Sequence, residues 1–331
     1  MDASDAVPQP ASAQDVERAW ADNKLAQVLY HDWEATTYDE KWSISFDERC
    51  TSVVRDRFLG VLRSSPTAGE SLPYGRVLEL GAGTGFFSLN LKLAGLVDEI
   101  HVSDLSPGMV EAAKQNAERL GFTIEGRVAD AEALPYEDDS FDLVVGHAVI
   151  HHIPDVEAAL REVVRVLRPG GRFVIAGEPT TIGHWYARHL GRITWEVATR
   201  ATRLSFLRQK WAREQAELDE SSRAAALEAV VDLHTFDPDA LAETARRAGA
   251  VEVGTATEEL LSAFAGWPIR TFEYAVAPEA LGFGWARFAY GTWTRLMRVD
   301  AVLDRVVPQK FFYNVGVTGV KPSTTQEPPR P

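Results

Sequence analysis

The chain has 331 residues, 45% of them hydrophobic, with a single cysteine, a formal net charge of -14 and a pI near 5.1. So acidic a balance speaks against a sequence-independent hold on nucleic-acid phosphates, which needs clustered Lys and Arg. With Cys50 alone, no intrachain disulfide and no thiolate metal cluster can form.

The start, MDASDAVPQPASAQD, has neither a basic opening nor an apolar h-region, and no apolar run reaches the about 20 residues that a bilayer needs. A cytoplasmic protein is expected. Residues 1–15, rich in Ala, Ser, Pro and Asp, and 322–331, rich in Pro and Thr, lack periodicity and read as disordered tails. Residues 16–65 read as a helical cap carrying the aromatics Tyr30, Trp33, Tyr38, Trp42 and Phe46, and a Pro/Gly-bearing linker follows.

Strand and helix signals then alternate over 70–180. Val77–Leu80 reads as a strand, Phe86–Leu93 as a helix, Glu99–Val102 as a strand, and Pro107–Leu120 as a helix ended by Gly121. Thr123–Val128 and Phe141–Gly146 read as strands. Val156–Leu167 reads as a helix stopped by Pro169, Gly170 and Gly171, with a strand at Arg172–Ala176. Repeated βα units with continuously apolar strands predict a doubly wound, Rossmann-like α/β domain with helices on both faces.

The second half breaks that rhythm. Residues 181–233 read as a helical lid with one long helix from Trp185 to Ala225. Residues 234–257 read as a core helix begun by Asp237 and Pro238 and ended by Gly249, then a strand at Val251–Thr255. Residues 258–310 form an aromatic-rich insertion, and 311–321 alternate like a closing strand.

The stretch VLELGAGTG places Gly81, Gly83 and Gly85, with Ala82 between them, on the first strand-to-helix turn. Ligands of open α/β sheets bind outside the carboxyl ends of the strands, and glycine both adopts positive φ and removes the Cβ that would keep a ligand from the main chain. A dinucleotide fingerprint wants a third small residue where Phe86 stands. Glu79, two residues ahead of the glycines, suits a cationic amino group better than a pyrophosphate. Asp104, about 20 residues on, suits ribose hydroxyls.

These residues carry a resemblance. VLELGAGTG, VSDLSPGMVEAAKQNAERLG, VADAEALPYEDDSFDLVVGHAVIHHIPD and LREVVRVLRPGGRFVIAGEP resemble, in order and spacing, the class I S-adenosylmethionine-dependent methyltransferases of the ubiquinone and menaquinone biosynthesis group. The resemblance covers roughly 30 to 180, and FFYNVGVTGV resembles that fold's antiparallel last strand. It implies a seven-stranded sheet and S-adenosyl-L-methionine as cofactor. It places the glycine turn under the methionine moiety, Asp104 on the ribose, Leu105 and Met109 against the adenine, and Asp130 with Ala131 at the adenine amino group. Tyr38 would close over the cofactor, and His147 would face its methionine end or the substrate.

A sulfonium methyl is already electrophilic, so holding a nucleophile in line is the main task, and proximity removes roughly 7 to 11 kcal/mol of barrier in favourable cases. A base matters only where the acceptor must lose a proton. His147, His151 and His152 are the candidates, Glu178 is expected to point into the same crevice and position the acceptor, and no metal is expected; the acidic run EDDSFD reads as a turn.

Tyr186, Leu190, Ile193, Val197, Ala201, Leu204, Leu207 and Trp211 recur at helical spacing among Arg188, Arg192, Arg200, Arg203, Arg208, Lys210 and Arg213. A basic amphipathic helix over 185–213 fits either a lid over a hydrophobic pocket or peripheral contact with an anionic membrane. Together with the aromatics of 258–310 it suggests a bulky, hydrophobic small-molecule acceptor, isoprenoid, polyketide or lipid-like. Non-methylating chemistry such as cyclisation, a non-catalytic cofactor-binding regulator and, given Phe86 least of all, a dehydrogenase are the rivals.

Overall fold

Apolar runs such as Phe173–Ala176 lack polar alternation because both their faces are covered. The computed structural model describes residues 22–35, 38–41, 44–66, 72–215, 217–218 and 231–323. Its strands are β1 (Tyr74–Leu80), β2 (Val97–Asp104), β3 (Glu125–Val128), β4 (Phe141–His147), β5 (Leu167–Pro179), β6 (Val251–Glu258) and β7 (Asn314–Val320). They form one sheet in the order β3-β2-β1-β4-β5-β7-β6. β7 alone runs antiparallel, between β5 and β6, and all the other pairings are parallel. Strand order reverses between β1 and β4, so the ligand crevice opens at their carboxyl ends.

The helices are α1 (Asn23–Glu34), α2 (Tyr38–Lys41), α3 (Glu48–Leu62), α4 (Phe86–Leu93), α5 (Pro107–Arg119), α6 (Val156–Val166), α7 (Thr181–Ala201), α8 (Ser205–Trp211), α9 (Pro238–Arg247), α10 (Leu261–Ala275) and α11 (Phe283–Leu303). Successive strand residues point to opposite faces. Val77, Val145 and Val174 meet Val54, Phe58, Phe87 and Ala113 of α3, α4 and α5. Their neighbours Leu78, Val144, Phe173 and Ile175 meet Leu160 and Val163 of α6 and Leu241 and Ala245 of α9.

The predicted start signals are used. Pro107 and Pro238 each open a helix, and Ser106 Oγ and Asp237 Oδ1 accept from the amides of Met109 and Asp239.

Three features depart from the sequence reading. β5 begins at Leu167, so Pro169, Gly170 and Gly171 lie inside the strand. The helix expected from Trp185 to Ala225 breaks after Ala201, where Thr202 Oγ1 donates to the Thr199 carbonyl and Leu204 is extended; its end at 219–230 lies outside the described residues. The insertion contains two helices, α10 with Pro268 in its interior and α11. The Trp33 side chain, Trp42 and both predicted tails, apart from Pro322 and Ser323, also lie outside what is described.

Candidate cofactor pocket and acceptor crevice

The turn after β1 holds three left-handed residues at alternate positions: Gly81 (φ 56°), Gly83 (φ 52°) and Gly85 (φ 82°). Only glycine adopts this region freely. A Cβ on Gly81 would fall inside the Val149 side chain, whereas one on Gly83 would meet only Tyr38 Cε1, at 3.9 Å. Gly81 is thus closed in by protein, and Gly83 presents bare main chain to the crevice. The Ala82 amide between them donates to the Ser103 carbonyl at 3.0 Å, tying the turn to β2.

Glu79 is buried below this turn, and its carboxylate accepts from the Phe87 and Ser88 amides at 3.3 and 3.1 Å and from the Ser88 hydroxyl. The residue expected to greet a ligand ammonium thus also anchors the first turn of α4. Burial outweighs these hydrogen bonds and, with Asp104 adding repulsion, pushes the carboxyl up to about 7.

Asp104, at the end of β2, accepts from the Gly83 amide at 2.8 Å and the Ser106 amide at 2.9 Å. Burial raises its pKa against those two bonds. Leu105 is half-buried beside it and Met109 is buried. Asp32 of α1 reaches the same corner, accepting from the Ser106 hydroxyl and from the Gly108 amide at 2.9 Å. In α2, Asp39 accepts from Thr84 Oγ1 at 2.6 Å and Asn116 Nδ2 at 3.2 Å, which seats Tyr38 over Gly83.

Asp130 and the adjoining Ala131 follow β3. Lys24 Nζ of α1 donates to Asp130 Oδ2 at 2.6 Å and to Glu132 Oε2 at 2.7 Å. The N-terminal helix therefore spans both carboxyl corners of this half of the crevice.

The other half is lined by histidines. His147 ends β4, and its ring stacks on Phe87 and fills space above Gly177, where a Cβ would lie 2.7 Å from Nε2. Arg57 Nη1 donates to that Nε2 at 2.6 Å, so the lone pair is already used. Burial, with Arg57 and His151 nearby, holds the ring well below 6.5 and hence neutral.

Arg57 also meets Glu259 Oε1 at 2.9 Å and pairs with Glu258. Burial alone would lower its pKa, and the two carboxylates outweigh that. Burial also pushes the Glu259 carboxyl up, against the pull of Arg57.

Glu178 is wholly buried. It accepts from the amides of Val149, Ile150 and His151 at 2.8, 3.1 and 3.2 Å, and lies 2.7 Å from His151 Nδ1. It therefore fixes the loop after β4 and orients His151, in place of the acceptor contact expected of it. Across the ring, His151 Nε2 is 3.7 Å from Asp232 Oδ1, and His152 Nδ1 is 3.4 Å from the same atom and 3.0 Å from the Val231 carbonyl. These three residues are the grouping among the described residues with donor types that a metal takes. Beside them, a shallow groove of about 440 Å³ is lined by Thr181, His184, Trp185, Arg188, His189, Arg192 and Thr235.

Residues 78–175 match the family model described as a methyltransferase domain. Over 104 residues the chain is 39% identical to the demethylmenaquinone methyltransferase of Thermus thermophilus, covering 31% of this chain and 47% of that protein. The chain carries a class I S-adenosylmethionine-dependent methyltransferase domain. Its match spans about half the length of that curated relative.

Two solved structures share the fold. Phosphoethanolamine N-methyltransferase 2 of Haemonchus contortus, in complex with S-adenosyl-L-methionine, superposes with a TM-score of 0.52 at 15% identity, covering 88% of this chain and 57% of its own. The [4+2]-cyclase SpnF gives 0.51 at 16% identity, with 91% and 97% covered.

The pocket of the methyltransferase domain fits a nucleoside cofactor. Gly83 offers unobstructed main chain, and the half-buried Asp104 carboxylate beside it is met by main-chain amides. Sequence reasoning missed Arg57, Glu259, Asp232, Lys24 and Gly177. Arg57 left one local signal, a charge on the buried side of a helix whose apolar positions are Val54, Phe58 and Val61. The others meet their partners only through the fold.

Proposed function

We propose that the chain moves the methyl group of S-adenosylmethionine to a bulky, hydrophobic small-molecule acceptor. The observation that carries this reading is the pairing of the open Gly83 backbone with Asp104, 2.8 Å away at the sheet's reversal point. Tyr38, Gly81, Ala82, Gly83, Gly85 and Glu79 would enclose the methionine end, Asp104 the ribose, Leu105 and Met109 the base, and Asp130 with Ala131 its amino edge. When bound, the cofactor supplies an electrophilic methyl on its sulfonium.

The chain's own residues then bind, orient and dehydrate the acceptor. His147 is a neutral wall of the crevice, since Arg57 occupies its Nε2. His151 is the proton acceptor in this reading, with buried Glu178 holding Nδ1 so that Nε2 faces outward toward Asp232. Glu178 acts as a positioning residue.

The aromatic surface of α10 and α11 and the apolar stripe of α7 support an apolar acceptor, as does the relative named for demethylmenaquinone. The test is release of S-adenosylhomocysteine across a panel of apolar and polar acceptors, with calorimetry of S-adenosylmethionine against NAD. Turnover confined to small hydrophilic acceptors overturns the acceptor class. Tight cofactor binding with no methylated product favours the cyclase-like or regulatory rival, a chemistry that the fold of SpnF also houses.

A further inference from the structure

The apolar stripe of α7 outruns the core beneath it. Tyr186 and Ala187 are buried against Ala263 of α10, with Leu190 and Trp267 packed alongside. Cover persists as far as Ala198 and Thr202, but not along the whole stripe. Ile193 and Val197, on the same stripe, are 60% and 61% exposed, and beyond the break Phe206 is 77% exposed. The neighbouring insertion adds Phe283, Phe288 and Tyr290, all exposed on α11. Apolar surface of this extent, rimmed by charge, marks an interaction site.

Charge is partitioned along with it. Residues 181–211 hold five Arg and one Lys against Glu196, and 261–311 hold five Arg and one Lys against four acids, a surplus of seven positive charges. Since the whole chain is at -14, the remainder stands at -21. The arginines border the exposed stripe. Arg192 and Arg200 are exposed and share Glu196, while Arg188 and Arg192 line the groove together with Trp185.

We infer that this roof docks on an anionic lipid bilayer. Its aromatic and aliphatic side chains suit the interface, its arginines suit the headgroup charge, and the acidic body is repelled and faces away. α7 starts at Thr181, immediately after the carboxyl end of β5, so the helix that carries the docked face springs from the rim of the acceptor crevice. An apolar acceptor dissolved in the membrane then reaches His151 without crossing bulk water. That last point rests on the reading that the acceptor is apolar; the docking does not.

Co-sedimentation of the full chain with vesicles of phosphatidylcholine, alone or mixed with phosphatidylglycerol, tests it without any acceptor. Binding to the anionic vesicles only, weakening with salt, is the expected result. Arg192→Ala and Arg200→Ala each lower the partition about fivefold, and Phe206→Glu with Ile193→Glu abolishes it. Calorimetry shows S-adenosylmethionine affinity unchanged in all of them, which certifies the fold. Equal binding to neutral vesicles, or none to either, overturns the inference. So does a dimer in light scattering that Phe206→Glu dissolves, since the face then belongs to a second copy of the chain. Docking without turnover on any acceptor breaks the functional reading alone, and turnover without docking breaks this one alone.

Discussion

The glycine turn and the helical roof are built on opposite terms. At the turn, the buried Glu79 and the half-buried Asp104 are matched by main-chain amides, and Asp39 is tied to Thr84 and Asn116. On the roof, large apolar side chains stand in solvent, and the ion pairs are exposed ones such as Arg192 with Glu196. A site for an invariant ligand gains from pre-organised backbone. A site that receives apolar partners gains from adaptable side-chain surface.

The contrast is sharpest within the turn itself. Gly81→Val combines left-handed backbone with a clash against Val149 and should cost about 2 to 5 kcal/mol of stability by urea unfolding. Gly83→Val should cost only the backbone strain of about 1 to 2 kcal/mol while abolishing S-adenosylmethionine binding in calorimetry. Equal effects of the two on stability, or retained binding in the second, would erase the distinction between a packed glycine and a ligand-facing one.

Next in size is the pH response of Glu79. Its folded pKa is raised from 4.5 to about 7, so the native state binds the extra proton between those values. Stability is therefore greatest below about pH 4.5 for this group and falls as pH rises toward 7, by about 3 kcal/mol. Glu79→Gln should flatten that part of the curve of stability against pH. An unchanged slope would mean that the carboxylate stays ionised at the α4 start.

Asp104→Ala should weaken S-adenosylmethionine binding by about 1 to 3 kcal/mol, the usual cost of buried partners left unmatched. Smallest of all, Ile193→Ser or Phe206→Ser on the roof should shift stability by no more than about 0.5 kcal/mol. A large loss there would show that the exposed stripe is packed in the free protein.

The cofactor half was readable because its signals are local. Glycines at alternate positions, an acid at the next strand end and Pro107 after Ser106 are each interpretable from a few neighbours. The roof resisted for physical reasons. Pro268 and glycines 266, 282, 284 and 291 blur the helical period of α10 and α11, and tertiary packing overrides them. The break after Ala201 coincides with a threonine hydroxyl bonded to a backbone carbonyl, which periodicity does not register. Arg57 with Glu259, and His151 with Asp232, join residues far apart in sequence, so no spacing announced them.

The bridge from Lys24 to Asp130 and Glu132 has a kinetic corollary. In the reading that places a nucleoside between the turn and α1, its departure would be gated by this partly exposed ion pair, which salt loosens. Turnover limited by spent cofactor leaving would then speed up with ionic strength, while a chemically limited one would not.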